Sequence, residues 1–145
     1  MLGSGVVCDF FMRALQYVPD QQVRVNSSRT EGRASAFATK WSIPEWTTDM
    51  AAAITRNDID LVAVGLPNDV HAEACIAVAS AEKAVVCTKP LGRNGAEARA
   101  ILDVVKAAGV WHGYGETEAF MPWRRVAYSL ARMLCPLRCS AGRTH

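Results

Sequence analysis

The sequence predicts an α/β fold with a doubly wound parallel sheet, and three observations carry that prediction. Segments with strand character and segments with helical periodicity alternate along most of the chain. Two strand segments, Leu61-Val62-Ala63-Val64-Gly65-Leu66 and Ala84-Val85-Val86-Cys87-Thr88, are continuous apolar runs of the kind buried on both faces. A glycine turn, Gly3-Ser4-Gly5, opens the first helical segment. The connecting helices are long enough to serve as crossovers between parallel neighbours. A length of 145 residues suits one domain with a sizeable core.

In Gly3-Ser4-Gly5-Val6-Val7-Cys8 the first glycine permits a tight turn and the second admits a pyrophosphate close to backbone N–H groups. Cys8 stands where the pattern wants a third glycine, so the fit is imperfect. Only Met1 and Leu2 precede the turn, so the first strand reads as truncated. Val7, Phe11, Ala14, Leu15 and Val18 form the apolar stripe of the following helix, which Pro19 ends. Gln22-Val23-Arg24-Val25-Asn26 alternates as a strand and leads into Ser27-Ser28-Arg29. An acidic residue at that distance from the glycines would hold the ribose hydroxyls of NAD, and none stands there. Arg29 either binds a 2′-phosphate, which favours NADP over NAD, or is a solvated arginine at a strand end.

Thr30 is placed as the cap of a helix whose packed face is Ala34, Phe37, Ala38 and Trp41. Ile43-Pro44 breaks it, Glu45-Trp46-Thr47 is a short extended link, and Asp49 caps a helix from Met50 to about Arg56. Pro67-Asn68-Asp69 closes the Leu61–Leu66 strand. Asn68 or Asp69 then caps a helix from about Val70 to Ala81. Asn68 is either that cap or a ligand contact, and His71 is either a packed imidazole or a ligand contact. Pro90 stops the next strand and leaves Lys89 at its carboxyl end, where an open parallel sheet borders its ligand crevice. Asn94 and Glu97 resemble a capping box for a helix buried through Ala98, Ile101, Leu102 and Val105, and Gly109 ends it. Val110-Trp111-His112-Gly113-Tyr114 is the last strand, with Gly115 and Glu116 at its carboxyl end. A helix from Pro122 to Leu134 and an irregular tail from Cys135 to His145 complete the chain.

A net charge of +2, with basic clustering absent from most of the chain, predicts no strong pull toward a polyanion, so no nucleic-acid partner is expected. No apolar run approaches the roughly 20 residues of a membrane span, so no membrane partner is expected and a cytoplasmic location is. The five cysteines, Cys8, Cys75, Cys87, Cys135 and Cys139, lack a paired C-x-x-C spacing and read as reduced thiols with no metal site.

Taken in order, Gly3-Ser4-Gly5, Ser28-Arg29, Pro67-Asn68-x-x-His71, Cys87-Thr88-Lys89-Pro90-Leu91 and Tyr114-x-Glu116 resemble the nucleotide-binding half of the glucose-fructose oxidoreductase, inositol dehydrogenase and MocA-like family. The resemblance implies a Rossmann-like NAD(P)-binding domain over residues 1–118. Residues 119–134 would then form a helix leading to a substrate domain absent from this chain, with 135–145 as tail. It implies cofactor contacts from Gly3, Gly5, Val6, Val7, Ser28, Arg29, Pro67, Asn68, His71, Thr88, Lys89 and Glu116. Lys89 falls on the family's lysine that assists proton movement while hydride passes to or from a sugar or polyol carbon, and Thr88 replaces the glutamate usual before it. The implied protein is an NAD(P)-dependent dehydrogenase in truncated form with doubtful turnover, reaching its substrate only if the missing domain is supplied. Oligomers are possible. The other reading is a noncatalytic module that binds nucleotide or a partner chain.

Overall fold

The computed structural model describes residues 1–116 and Ser129. The helix expected from Pro122, the tail with Cys135 and Cys139, and the boundary at residue 118 lie outside the described residues. Residues Met1–Gly115 form one compact unit, and Glu116 begins a second.

The elements follow the expected alternation: α1 (Val6–Leu15), β1 (Val25–Ser27), α2 (Glu31–Trp41), β2 (Glu45–Thr47), α3 (Met50–Ile54), β3 (Leu61–Val64), α4 (His71–Ser80), β4 (Ala84–Thr88), α5 (Gly95–Ala108) and β5 (His112–Gly115). All strand pairings are parallel. β1 pairs with β2, and β4 lies between β3 and β5. Leu2 joins the two pieces by bridging Ser27 on one side and Val64 on the other. Four backbone hydrogen bonds secure it: Leu2 N–H to Ala63 O (2.8 Å), Gly65 N–H to Leu2 O (2.9 Å), Gly3 N–H to Ser27 O (2.8 Å) and Ser27 N–H to Met1 O (2.9 Å). The residues read as a truncated strand therefore hold the centre of the sheet, whose order is β2, β1, Met1–Gly3, β3, β4, β5. A single bridging residue, Leu2, is enough to pair with both neighbouring strands. This is the doubly wound Rossmann order.

Each face of the sheet has its own apolar cluster. Cys8 and Met12 of α1 meet Phe37 and Ala38 of α2 and Ile43 in one. The other gathers Leu2, Val25, Val62, Val64, Val85 and Cys87 from the sheet with Ile54, Ala74, Val78, Ile101 and Val105 from α3, α4 and α5. Burying such side chains contributes roughly 1.5–3 kcal/mol each before ordering costs.

Several local expectations need correction. The buried face of α1 is Cys8 and Met12, while Val7 and Ala14 are exposed, because the turn at Gly5 starts the helix facing the sheet through Cys8; the helix ends at Leu15, before Pro19, so Val18 lies exposed beyond it. The strand expected at Gln22–Asn26 starts only at Val25, and all three of its residues are buried, so alternation was a poor guide. Glu45–Thr47 is an edge strand rather than a link. Asn68 and Asp69 do not cap by side chain: Asn68–Val70 is a 3₁₀ turn that feeds α4 directly. Asn94 Oδ1 does accept from the N–H groups of Ala96 and Glu97 at 3.0 Å. Glu97 reaches back one residue further than a capping box requires, accepting from the N–H of Arg93 at 2.8 Å.

Candidate functional site

The carboxyl ends of β1 and β3 flank the glycine turn, and a groove opens between them. Gly3 has φ +109°, and a Cβ there would lie 2.5 Å from Gly65 O, so both conformation and space require glycine. Gly5 enters α1 in extended conformation with no side chain capping the helix, which leaves first-turn N–H groups open at the turn. Ser4 Oγ and Ser28 Oγ are 2.7 Å apart and link the turn to the end of β1. Cys8, in the third-glycine slot, is fully buried against Gly65, where a Cβ would approach its Sγ to 2.5 Å. Burial pushes the Cys8 thiol pKa up.

Two adjoining cavities form the groove. The first, about 230 Å³, is lined by Gly3–Val7, by Ser28, Arg29 and Arg33, and by Gly65–Pro67. The second, about 360 Å³, shares Ser28, Arg29, Leu66 and Pro67 with it and extends to Leu2, Met50 and Val70, with Thr48, Asp69 and Glu73 as polar lining. Among the described residues, the side chains of Arg29, Arg33 and Glu73 make no hydrogen bond or ion pair. Two arginine side chains beside an uncapped helix start form a pole for anionic oxygens.

The groove thus brings together Gly3, Gly5, Val6, Val7, Ser28, Arg29 and Pro67 of the expected contacts. Asn68, His71, Thr88 and Lys89 do not line it. Asn68 is exposed in the 3₁₀ turn. His71 is 0 % exposed, with Nδ1 2.8 Å from Pro90 O and Nε2 2.8 Å from Leu66 O. The ligand-facing alternative for His71 therefore gives way to the packed one: it ties the loop after β3 to the loop after β4. Thr88 is buried and donates from Oγ1 to Val64 O at 3.3 Å, which fixes the end of β4 to β3. Lys89 follows as an exposed side chain at a cis peptide bond to Pro90, without a hydrogen bond or ion pair among the described residues. Glu116 directly follows β5 and starts the second unit.

Sequence reasoning missed Ser4, Arg33, Thr48, Met50, Leu66 and Glu73. Arg33 was findable, since it lies in the first turn of α2, four residues after Arg29. Met50 and Glu73 come from helices distant in sequence, and no spacing announces them. No group of three or more His, Cys, Asp or Glu side chains that could hold a metal occurs among the described residues, nor any helix long and apolar enough to cross a membrane.

The profile of the oxidoreductase family with an NAD-binding Rossmann fold matches residues 1–115. The chain belongs to this family. Levoglucosan dehydrogenase of Pseudarthrobacter phenanthrenivorans is 38% identical over 79 residues, covering 54% of this chain and 20% of that enzyme. The NADP(+)-dependent scyllo-inositol 2-dehydrogenase of Bacillus subtilis is 27% identical over 110 residues, covering 76% of this chain and 34% of that enzyme. Among solved structures, levoglucosan dehydrogenase with NADH and levoglucosan superposes with a TM-score of 0.72 at 27% identity, over 78% of this chain and 34% of that one. GenD2 from gentamicin A biosynthesis, in complex with NAD, superposes with a TM-score of 0.83 at 24% identity, over 90% of this chain and 37% of that one, a likeness of fold. The chain spans well under half the length of these relatives.

Proposed function

We propose that this oxidoreductase-family chain binds NAD(P) in the groove, with NADP favoured, as the dinucleotide-binding part of a dehydrogenase acting on a sugar or polyol. The observation that carries the reading is the placement of Arg29 and Arg33, whose side chains make no hydrogen bond or ion pair among the described residues, on the cavity lined by the glycine turn. Gly3 and Gly5 would admit the pyrophosphate to the start of α1, and Val6 and Val7 would cover it. Ser28 would meet the adenosine ribose, and the two guanidinium groups would neutralise a 2′-phosphate. Leu66 and Pro67 would form the opposite wall. The residues thus fit the family's cofactor, which when bound supplies hydride transfer at its nicotinamide ring.

For chemistry, Lys89 is the cation at the carboxyl end of β4 and would polarise a substrate oxygen as its carbon gains or loses hydride. Thr88 would fix the lysine's backbone through Val64 O. The levoglucosan and scyllo-inositol enzymes among the relatives support a sugar or polyol as substrate class. Domain limits of 1–118, 119–134 and 135–145 are part of the same reading, as is a contribution from Glu116 in the full-length form of such an enzyme.

Calorimetric titration with NADPH and NADH tests the cofactor claim. NADPH is expected to bind more tightly, and Arg29→Ala or Arg33→Ala to weaken NADPH by about 10–100-fold while leaving NADH nearly unchanged, as the loss of a charge-assisted hydrogen bond dictates. Tighter NADH binding would overturn the role of the arginines, and no binding of either would remove the nucleotide site. Polyol-dependent NADP reduction by this chain tests turnover separately.

A further inference from the structure

The larger cavity carries charges that the phosphates of a dinucleotide do not explain. Its apolar walls, Leu2, Met50, Leu66 and Val70, suit a flat ring. Asp69 and Glu73, one helical turn apart, form its acidic rim, while Arg29 lines the same cavity and Arg33 only the neighbouring one. Positive charge is thus gathered toward the glycine turn and negative charge away from it. Arg29 and Glu73 line one space, yet no ion pair joins them. A ligand complementary to that space presents acceptors at one end and a hydrogen-bond donor at the other. Of the two carboxylates, Asp69 already lies in the field of the Arg93 guanidinium, whereas exposed Glu73 has no hydrogen bond or ion pair among the described residues.

We infer that Glu73 selects the base of the dinucleotide: its carboxylate accepts a hydrogen bond from the 6-amino group of an adenine ring seated against Met50, Leu66 and Val70. The inference rests on the nucleotide-binding reading above. An ionised carboxylate only accepts hydrogen bonds. Adenine offers it a donor, while hypoxanthine carries a carbonyl oxygen at the same position and turns lone pairs toward it. The base is therefore recognised by its exocyclic group and not by apolar contact alone, which both bases would make equally.

Calorimetry with NADPH and with reduced nicotinamide hypoxanthine dinucleotide phosphate tests this on the unaltered chain, on Glu73→Gln and on Asp69→Asn, each checked for folding by circular dichroism. The unaltered chain is expected to prefer the adenine form by about 10-fold, a modest ratio because the site opens to water. Glu73→Gln is expected to bring the ratio close to one, since an amide can both donate and accept. Asp69→Asn is expected to leave it unchanged. A ratio near one in the unaltered chain, a ratio that survives Glu73→Gln, or a collapse in Asp69→Asn each overturns the assignment while the nucleotide site stands. Failure of the unaltered chain to bind either dinucleotide removes the nucleotide reading, and this inference with it.

Discussion

Cys8 occupies the slot where a glycine turn of this kind has its third glycine, and Gly65 across from it supplies the missing space. Helix α1 can still approach β3 closely because the small residue has moved to the other partner. Gly65→Ala is expected to destabilise the fold by about 1–3 kcal/mol, the usual range for overpacking, because its Cβ would fall 2.5 Å from Cys8 Sγ. Adding Cys8→Ala removes that sulfur, so the double variant should be less destabilised than the sum of the singles by about 1–2 kcal/mol. Urea unfolding of the four proteins checks the cycle, and strict additivity would show that the contact does not govern the site. Sequence spacing showed that Cys8 departs from the pattern but not what compensates, since Gly65 lies 57 residues away. The place of Arg29 beside the glycine turn was legible because it depends on local distance from the glycines. His71 was not, because only folding sets the Leu66 and Pro90 carbonyls on either side of its ring.

The helices were legible where a cap or a stop is local and less so where the buried face depends on the sheet. Asp49 Oδ1 accepts from the N–H of Ala52 at 3.0 Å, and Asn94 serves two N–H groups at the start of α5. Asn94→Ala is expected to cost about 1 kcal/mol, the usual loss of an N-cap, read as a lower urea midpoint with an unchanged slope. A neutral result would mean that the Arg93–Glu97 contacts suffice to start the helix. The face of α1 was misread because Val7 and Ala14 have helical spacing but stand off the sheet, and hydrophobicity alone does not tell which of two stripes is covered. Helix α2 was read correctly because Ala34, Phe37 and Ala38 leave no competing stripe. Asp9 joins the two helices, accepting from Lys40 Nζ at 2.8 Å and Trp41 Nε1 at 2.7 Å, which holds its carboxyl below the usual carboxylate range. It is a surface tie worth little beside the apolar contacts.

For the whole molecule, the decisive segment is the shortest. Met1–Gly3 fills the central place of the sheet, and the Met1 ammonium donates to Val25 O at 3.0 Å. Burial lowers its pKa from 8.0 to about 6. With the folded value below the unfolded one, the unfolded state binds more of this proton between those limits, so the amine's contribution to stability is full above pH 8 and is lost as pH drops toward 6. In a chain whose free amine is at Met1, urea unfolding should lose up to about 3 kcal/mol over that interval. Acetylation of the amine should abolish this part of the slope, and a slope unchanged by acetylation would assign it elsewhere. The sequence by itself determined the alternation of strands and helices, the parallel sheet, the glycine turn and the basic residue at the end of β1, because each is written in local pattern or short spacing. Only the tertiary structure decided that Leu2 completes the sheet, that Gly65 makes room for Cys8, that His71 is a buried tie between loops, and that Arg33 and Glu73 face one groove. Those outcomes depend on contacts between residues far apart in the chain, where close packing and the pairing of buried polar groups select among arrangements that local pattern leaves equal.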